Sequence, residues 1–105
     1  MTIIETSIFT RRLKSILDEE QYRKLQNELI AHPEAGKIIP GSGGIRKLRW
    51  GGSGRGKRGG NRIIYYWFSQ KEVILMLFIY SKTEHDDLTA EQLITLKNHV
   101  EREFK

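Results

Sequence analysis

The chain has 105 residues, 38% of them hydrophobic and 30% charged, with a formal net charge of +5. That balance fits one globular domain over residues 1–105 and excludes an intrinsically disordered chain. The lack of cysteine removes disulfide and thiolate chemistry and argues against a zinc site, and with no signal-like start and no apolar run near the roughly 20 residues of a membrane span, a cytoplasmic protein is expected.

Residues Thr2–Glu5 read as a short strand. Residues 7–17 carry Ile8, Phe9, Leu13, Ile16 and Leu17 at helical spacing. A second helix follows. Asp18 is its N-cap, Gln21 stands at the capping-box position, and Leu17 with Tyr22 forms a hydrophobic staple. Tyr22, Leu25 and Leu29 share one face, and Pro33 ends the helix at His32. Residues 35–44, with Pro40-Gly41 and Gly43-Gly44, form a turn-rich connection.

Three strands are expected next, at Ile45–Trp50, Asn61–Phe68 and residues 72–81. The first alternates, placing Lys47 and Arg49 on one face and Leu48 and Trp50 on the other. The third is apolar on both faces, as a central strand is. Ser69-Gln70-Lys71 makes the hairpin between the last two, and residues 51–60 form a glycine-rich loop between the first two. The final element is a helix with Thr89 as N-cap, Gln92 as its capping-box partner and an apolar stripe of Leu93, Leu96, Val100 and Phe104. The expected fold is α+β: a small antiparallel meander with N-terminal helices and a C-terminal helix packed on one face.

Charge is segregated along this chain. Residues 35–71 hold nine Lys or Arg and no Asp or Glu, whereas the remainder sets nine basic residues against all 13 acidic ones. All ten glycines lie in the same stretch. A merely solvated surface mixes its signs, so the segregation points to an anionic partner. In an antiparallel meander the end of the first strand returns beside the start of the second, and the end of the third returns there too. Lys47, Arg49, Arg62 and Lys82 therefore converge at one end of the sheet, under the loop bearing Arg55, Lys57 and Arg58. Cations held this close repel one another until an anion sits among them, although solvated basic residues also guard strand edges. Trp50, at the end of its strand, either packs in the core or stacks on a base. His85 lies in a polar segment, Glu84-His85-Asp86-Asp87, that leads to the last helix near the same end of the sheet. That segment reads first as an ordinary loop.

Two motif matches fail on context. Gly51-Gly52-Ser53-Gly54-Arg55-Gly56-Lys57-Arg58 approaches a P-loop, but Arg58 stands where Ser or Thr must hold magnesium, and a strand follows instead of a helix. Gly54-x-Gly56-x-x-Gly59 lacks the helix N-terminus that a dinucleotide site needs. His32, His85 and His99 are dispersed without ligand spacing, so no metal is expected.

The combination GGIRKLRW, GRGKRGGNRIIYYW and IYSKTEHDDLT, spanning residues 43–89, resembles the RelE/HigB superfamily of bacterial toxins, in its HigB-type branch. The resemblance implies a small RelE/ParE-like α+β toxin of a type II toxin–antitoxin pair. Such a toxin cuts mRNA in the ribosomal A site without a metal or other cofactor. It also implies a cognate helix-turn-helix antitoxin, through which alone operator DNA is bound. The family's catalytic basic positions fall on Lys47, Arg49, Arg62 and Lys82. On this reading Arg49 and Arg62 hold the scissile phosphate, Lys57 or Lys82 assists proton transfer, and Arg46, Trp50, Arg55, Arg58 and His85 contact RNA or ribosome. Some members carry tyrosine where Leu88 stands here, so the general acid and base are not assigned by the resemblance. Two other classes share parts of this pattern: a non-catalytic ParE-type toxin acting on DNA gyrase, and a simple RNA-binding module.

Overall fold

The computed structural model describes residues 1–51, 60–84 and 87–104. The elements run β1 (Thr2–Glu5), α1 (Ser7–Ile16), α2 (Glu19–Ala31), β2 (Lys37–Ile38), β3 (Ile45–Trp50), β4 (Asn61–Phe68), a 3-10 turn (Ser69–Lys71), β5 (Val73–Ser81) and α3 (Ala90–Phe104). The sheet order is β1-β5-β4-β3-β2. The expected β3-β4-β5 meander is antiparallel throughout, and β2 adds antiparallel to β3. β1, however, pairs parallel to β5, so the sheet is mixed rather than purely antiparallel.

The helix starts follow the sequence chemistry. Thr6 caps α1 by accepting the Phe9 N–H, and its hydroxyl also donates to the Leu77 carbonyl oxygen at 2.9 Å, tying α1 to β5. Asp18 and Gln21 form the reciprocal capping box of α2, at 2.7 and 2.9 Å. Thr89 and Gln92 do the same for α3, at 3.0 and 2.9 Å. Each such box satisfies two backbone donors that a helix start otherwise leaves without partners.

One expectation is corrected: the helices cover both faces of the sheet. Phe9, Leu17, Leu25 and Leu29 of the α1–α2 half pack with Leu48, Ile63, Tyr65, Ile74, Met76 and Ile79 on one side. On the other side, Val100, Leu93, Leu96 and Phe104 of α3 pack with Ile45, Ile64, Leu75, Leu77 and Tyr80. The reason lies in β5, whose residues alternate between the two clusters; a strand apolar on both faces needs a cover on each. A register shift opposite Ile64/Tyr65 inserts one extra β5 residue. It places both Leu77 and Phe78 on the α3 side before alternation resumes at Ile79.

α3 packs on the half of its face marked by Ile45, Tyr66 and Phe68; Phe104 stacks on Tyr66 with ring centroids 5.7 Å apart and meets Phe68 edge-on at 4.8 Å. Toward the opposite end of that face, β3 and β4 carry the paired Arg49 and Arg62. No helix among the described residues is long and apolar enough to cross a membrane.

Candidate functional site

The register of β3, β4 and β5 sets the site. Arg49 stands directly opposite Arg62, and Arg62 directly opposite Tyr80. Directly opposed residues share a face, as do residues two apart on one strand. Lys47, Arg49, Arg62 and Tyr80 therefore project from the α3 side of the sheet. Their strand neighbours Leu48 and Ile63 point into the core beneath α1 and α2. Arg62 is only 7% exposed, whereas Arg49 is exposed. The central strand thus holds one guanidinium close to the sheet while the strand beside it presents a second to solvent.

Like charges directly opposite across a strand pair are destabilising. Among the described residues, Asp87 acts as an internal counter-ion. Asp87, just before α3, accepts a hydrogen bond from Lys47 Nζ at 2.7 Å. That bond to Lys47 chiefly holds the Asp87 carboxyl below its ordinary range, and the nearby charge of Arg62 adds to the effect. Lys47 and Arg62 thus both act on the exposed Asp87 carboxylate, while Arg49 stands opposite Arg62 on the next strand. The spacing of 40 residues between Lys47 and Asp87 left no local signal of the pair in the sequence.

The segment returning from β5 is fastened independently. Lys82 N–H donates to the Gly60 carbonyl oxygen at 3.1 Å, which brings the turn after β5 beside the start of β4 as the meander requires. Lys82 itself is exposed. Glu84 pairs with Arg12 and accepts the Ser81 N–H at 2.8 Å, while Arg12 Nε donates to the Ile79 carbonyl oxygen at 2.7 Å. α1 thereby braces the strand end that carries Tyr80. Gly60 closes the mouth of the β3–β4 pair with φ of +29°; a Cβ there would lie 2.5 Å from the Trp50 carbonyl oxygen. Only glycine permits that approach.

Two expected contact residues lie on the other side of the sheet. Trp50 is half-buried against the α1–α2 core, together with Leu48. Arg46 turns its guanidinium to the backbone, donating to the carbonyl oxygens of Gly36 at 2.8 Å and Glu34 at 3.3 Å. Strand alternation separates both from Lys47 and Arg49. Arg55, Lys57, Arg58 and His85 lie outside the described residues. Among the described residues no cluster of His, Asp or Glu is arranged to hold a metal ion.

A small α+β domain whose mixed sheet leaves a cationic face beyond its C-terminal helix is the class that this geometry defines. No family model matches the chain. Among solved structures it is similar to the RelBE toxin–antitoxin complex of E. coli, at 20% identity and a TM-score of 0.58, with 76% of this chain and 94% of that chain covered. It is also similar to a double-arginine mutant of the E. coli toxin RelE in the free state, at 16% identity and a TM-score of 0.61, covering 94% of this chain and 95% of that one. The chain has the RelE fold.

Proposed function

We propose that this protein is the toxin of a type II toxin–antitoxin pair and that it cuts mRNA on the ribosome. The observation that carries the reading is the Arg49–Arg62 pair, two arginines directly opposed across a strand pair, where a bound phosphate offsets the repulsion of like charges. The likeness in fold to E. coli RelE, alone and within the RelBE toxin–antitoxin complex, supports it and the proposal of an antitoxin partner; the helix-turn-helix of that partner is proposed from the sequence resemblance alone.

The chemistry follows from the cations. In RNA cleavage the 2′-hydroxyl loses its proton and its oxygen forms a bond to phosphorus. The bond from phosphorus to the 5′-oxygen breaks, and that oxygen takes up a proton. The products are a 2′,3′-cyclic phosphate and a free 5′-hydroxyl. Negative charge grows on the phosphoryl oxygens as this happens. Arg62, fixed in the sheet, and Arg49 bind those oxygens and stabilise the charge without reorganising. Lys47 adds positive potential, and Lys82 or Lys57 assists proton transfer.

The test is expression in a growing culture. Wild-type protein is expected to arrest growth and to generate new mRNA 5′ ends. Arg62→Ala and Arg49→Ala should do neither while keeping the wild-type circular dichroism spectrum. Full toxicity of both variants would overturn the assignment. Arrest with intact messages would replace it with the gyrase-directed class.

A further inference from the structure

The cationic face does not end at β3. β2 is only two residues long, and its register sets Lys37 directly opposite Lys47. Lys37 therefore shares the face of Lys47, Arg49 and Arg62, and makes a second like-charged cross-strand pair beside the first. Because β2 stops there, the outer edge of β3 at Leu48 and Arg49 is left without a strand partner. The space so created is a cleft of about 490 Å³ lined by Ala35, Lys37, Lys47, Leu48 and Arg49. Among the described residues that line it, three are cations and none is an acid.

The backbone carrying Lys37 is locked in place. Gly36 is buried; its N–H donates to the Tyr65 hydroxyl at 2.9 Å, and that hydroxyl donates in turn to the Pro33 carbonyl oxygen at 2.7 Å. Arg46 holds the Gly36 carbonyl oxygen from the adjacent strand. A side chain at position 36 could not be accommodated, since its Cβ would lie 2.9 Å from Tyr65 Cε1 and 3.0 Å from the Lys47 carbonyl oxygen. The buried Gly36–Tyr65 hydrogen bond, the part-buried bonds of Tyr65 and Arg46, and a glycine-only approach thus fix an exposed lysine whose own neighbour across the strand is another lysine. Asp87 already offsets part of the charge of Lys47, whereas no ion pair to Lys37 forms among the described residues, so a further anion is favoured on the Lys37 side.

We infer that the cleft between β2 and the free edge of β3 is a second phosphate subsite, in which Lys37 together with Lys47 binds a backbone phosphate of single-stranded RNA next to the one held by Arg49 and Arg62. This rests on the RNA-cleaving reading of the face and adds to it the direction in which the strand leaves the site: across β3 toward β2. Lys37 acts by positioning. It contacts a phosphate that does not react, so it sets the register of the RNA and not the chemistry.

The test measures binding of a short fluorescein-labelled 2′-O-methyl oligoribonucleotide, which cannot be cleaved, by anisotropy over a salt series. Wild-type protein, Lys37→Ala, Lys37→Arg and Lys71→Ala are compared. Lys71 is an equally exposed lysine at the far end of the β4–β5 hairpin and reports the effect of losing one charge anywhere on the molecule. Loss of one phosphate contact should lower the slope of log affinity against log salt by about 0.7. That drop is expected for Lys37→Ala alone, with Lys37→Arg close to wild type and Lys71→Ala unchanged. An unchanged slope for Lys37→Ala, or an equal drop for Lys71→Ala, would overturn the subsite while leaving the RNA reading intact. Failure of the wild-type protein to bind the oligonucleotide at low salt would remove both.

Discussion

Replacing Arg49 by glutamine should make the sheet more stable and the site worse. Arg49 and Arg62 are direct cross-strand neighbours, and the Asp87 carboxylate beside them is bonded to Lys47. Removing one of two opposed like charges is worth about 0.2–1 kcal/mol on a strand pair. Arg49 is exposed, so its truncation to glutamine leaves no cavity to offset that gain. For a domain of this size the gain corresponds to a rise in Tm of roughly 1–6 °C. The effect is Coulombic between groups near the surface, so it should be largest at low ionic strength and fade near 1 M salt, where the screening length is about 3 Å. Thermal melts of wild type and Arg49→Gln at low and high salt measure it, and oligoribonucleotide binding by the same two proteins should show the opposite ranking. A lower Tm for Arg49→Gln at low salt, or a gain that high salt leaves untouched, would refute the view that the pair is held apart from its electrostatic optimum for the sake of a ligand.

Two further outcomes follow from the same geometry. Tyr65→Phe strands the buried Gly36 N–H and frees the Pro33 carbonyl; a loss of about 1–3 kcal/mol in chemical denaturation is expected, together with weaker RNA binding because the Lys37 segment loosens. Asp87→Asn removes a carboxyl whose folded pKa is depressed by Lys47, so the contribution of the pair is present above the unfolded carboxyl pKa and is lost as pH falls through the lower, folded value. Stability curves of the two proteins should differ by no more than about 1 kcal/mol near neutral pH, since the carboxylate is 71% exposed, and should meet in acid; RNA affinity of Asp87→Asn should rise, because Lys47 no longer has an internal partner.

Much of this architecture is legible in the sequence where the signal is local. Asp18 with Gln21 and Thr89 with Gln92 announce two helix starts by spacing alone, and both boxes form. The alternation of Ile45–Trp50 separates Lys47 and Arg49 from Leu48 and Trp50, and the structure keeps that division. The same alternation carries Arg46 to the far side, where it serves the backbone of Gly36 instead of the cationic face. What escaped is non-local or too short to have a period. The parallel partnership of Thr2–Glu5 with β5 joins residues about 70 apart. β2 has two residues and no alternation to read, yet it brings Lys37 to the site. Asp87 reaches Lys47 only because α3 folds onto the sheet. The doubly apolar β5 already called for a cover on each face, and the placement of α3 opposite α1 and α2 supplies it.

The central claim is that the Arg49–Arg62 face breaks RNA. Its most direct test maps mRNA ends in purified, message-programmed ribosomes after addition of wild-type protein or Arg62→Ala. The expected result is discrete cuts with wild type, upstream fragments ending in a 2′,3′-cyclic phosphate, and no cuts with Arg62→Ala. Intact message with folded wild-type protein, or the same cuts from both proteins, would contradict it.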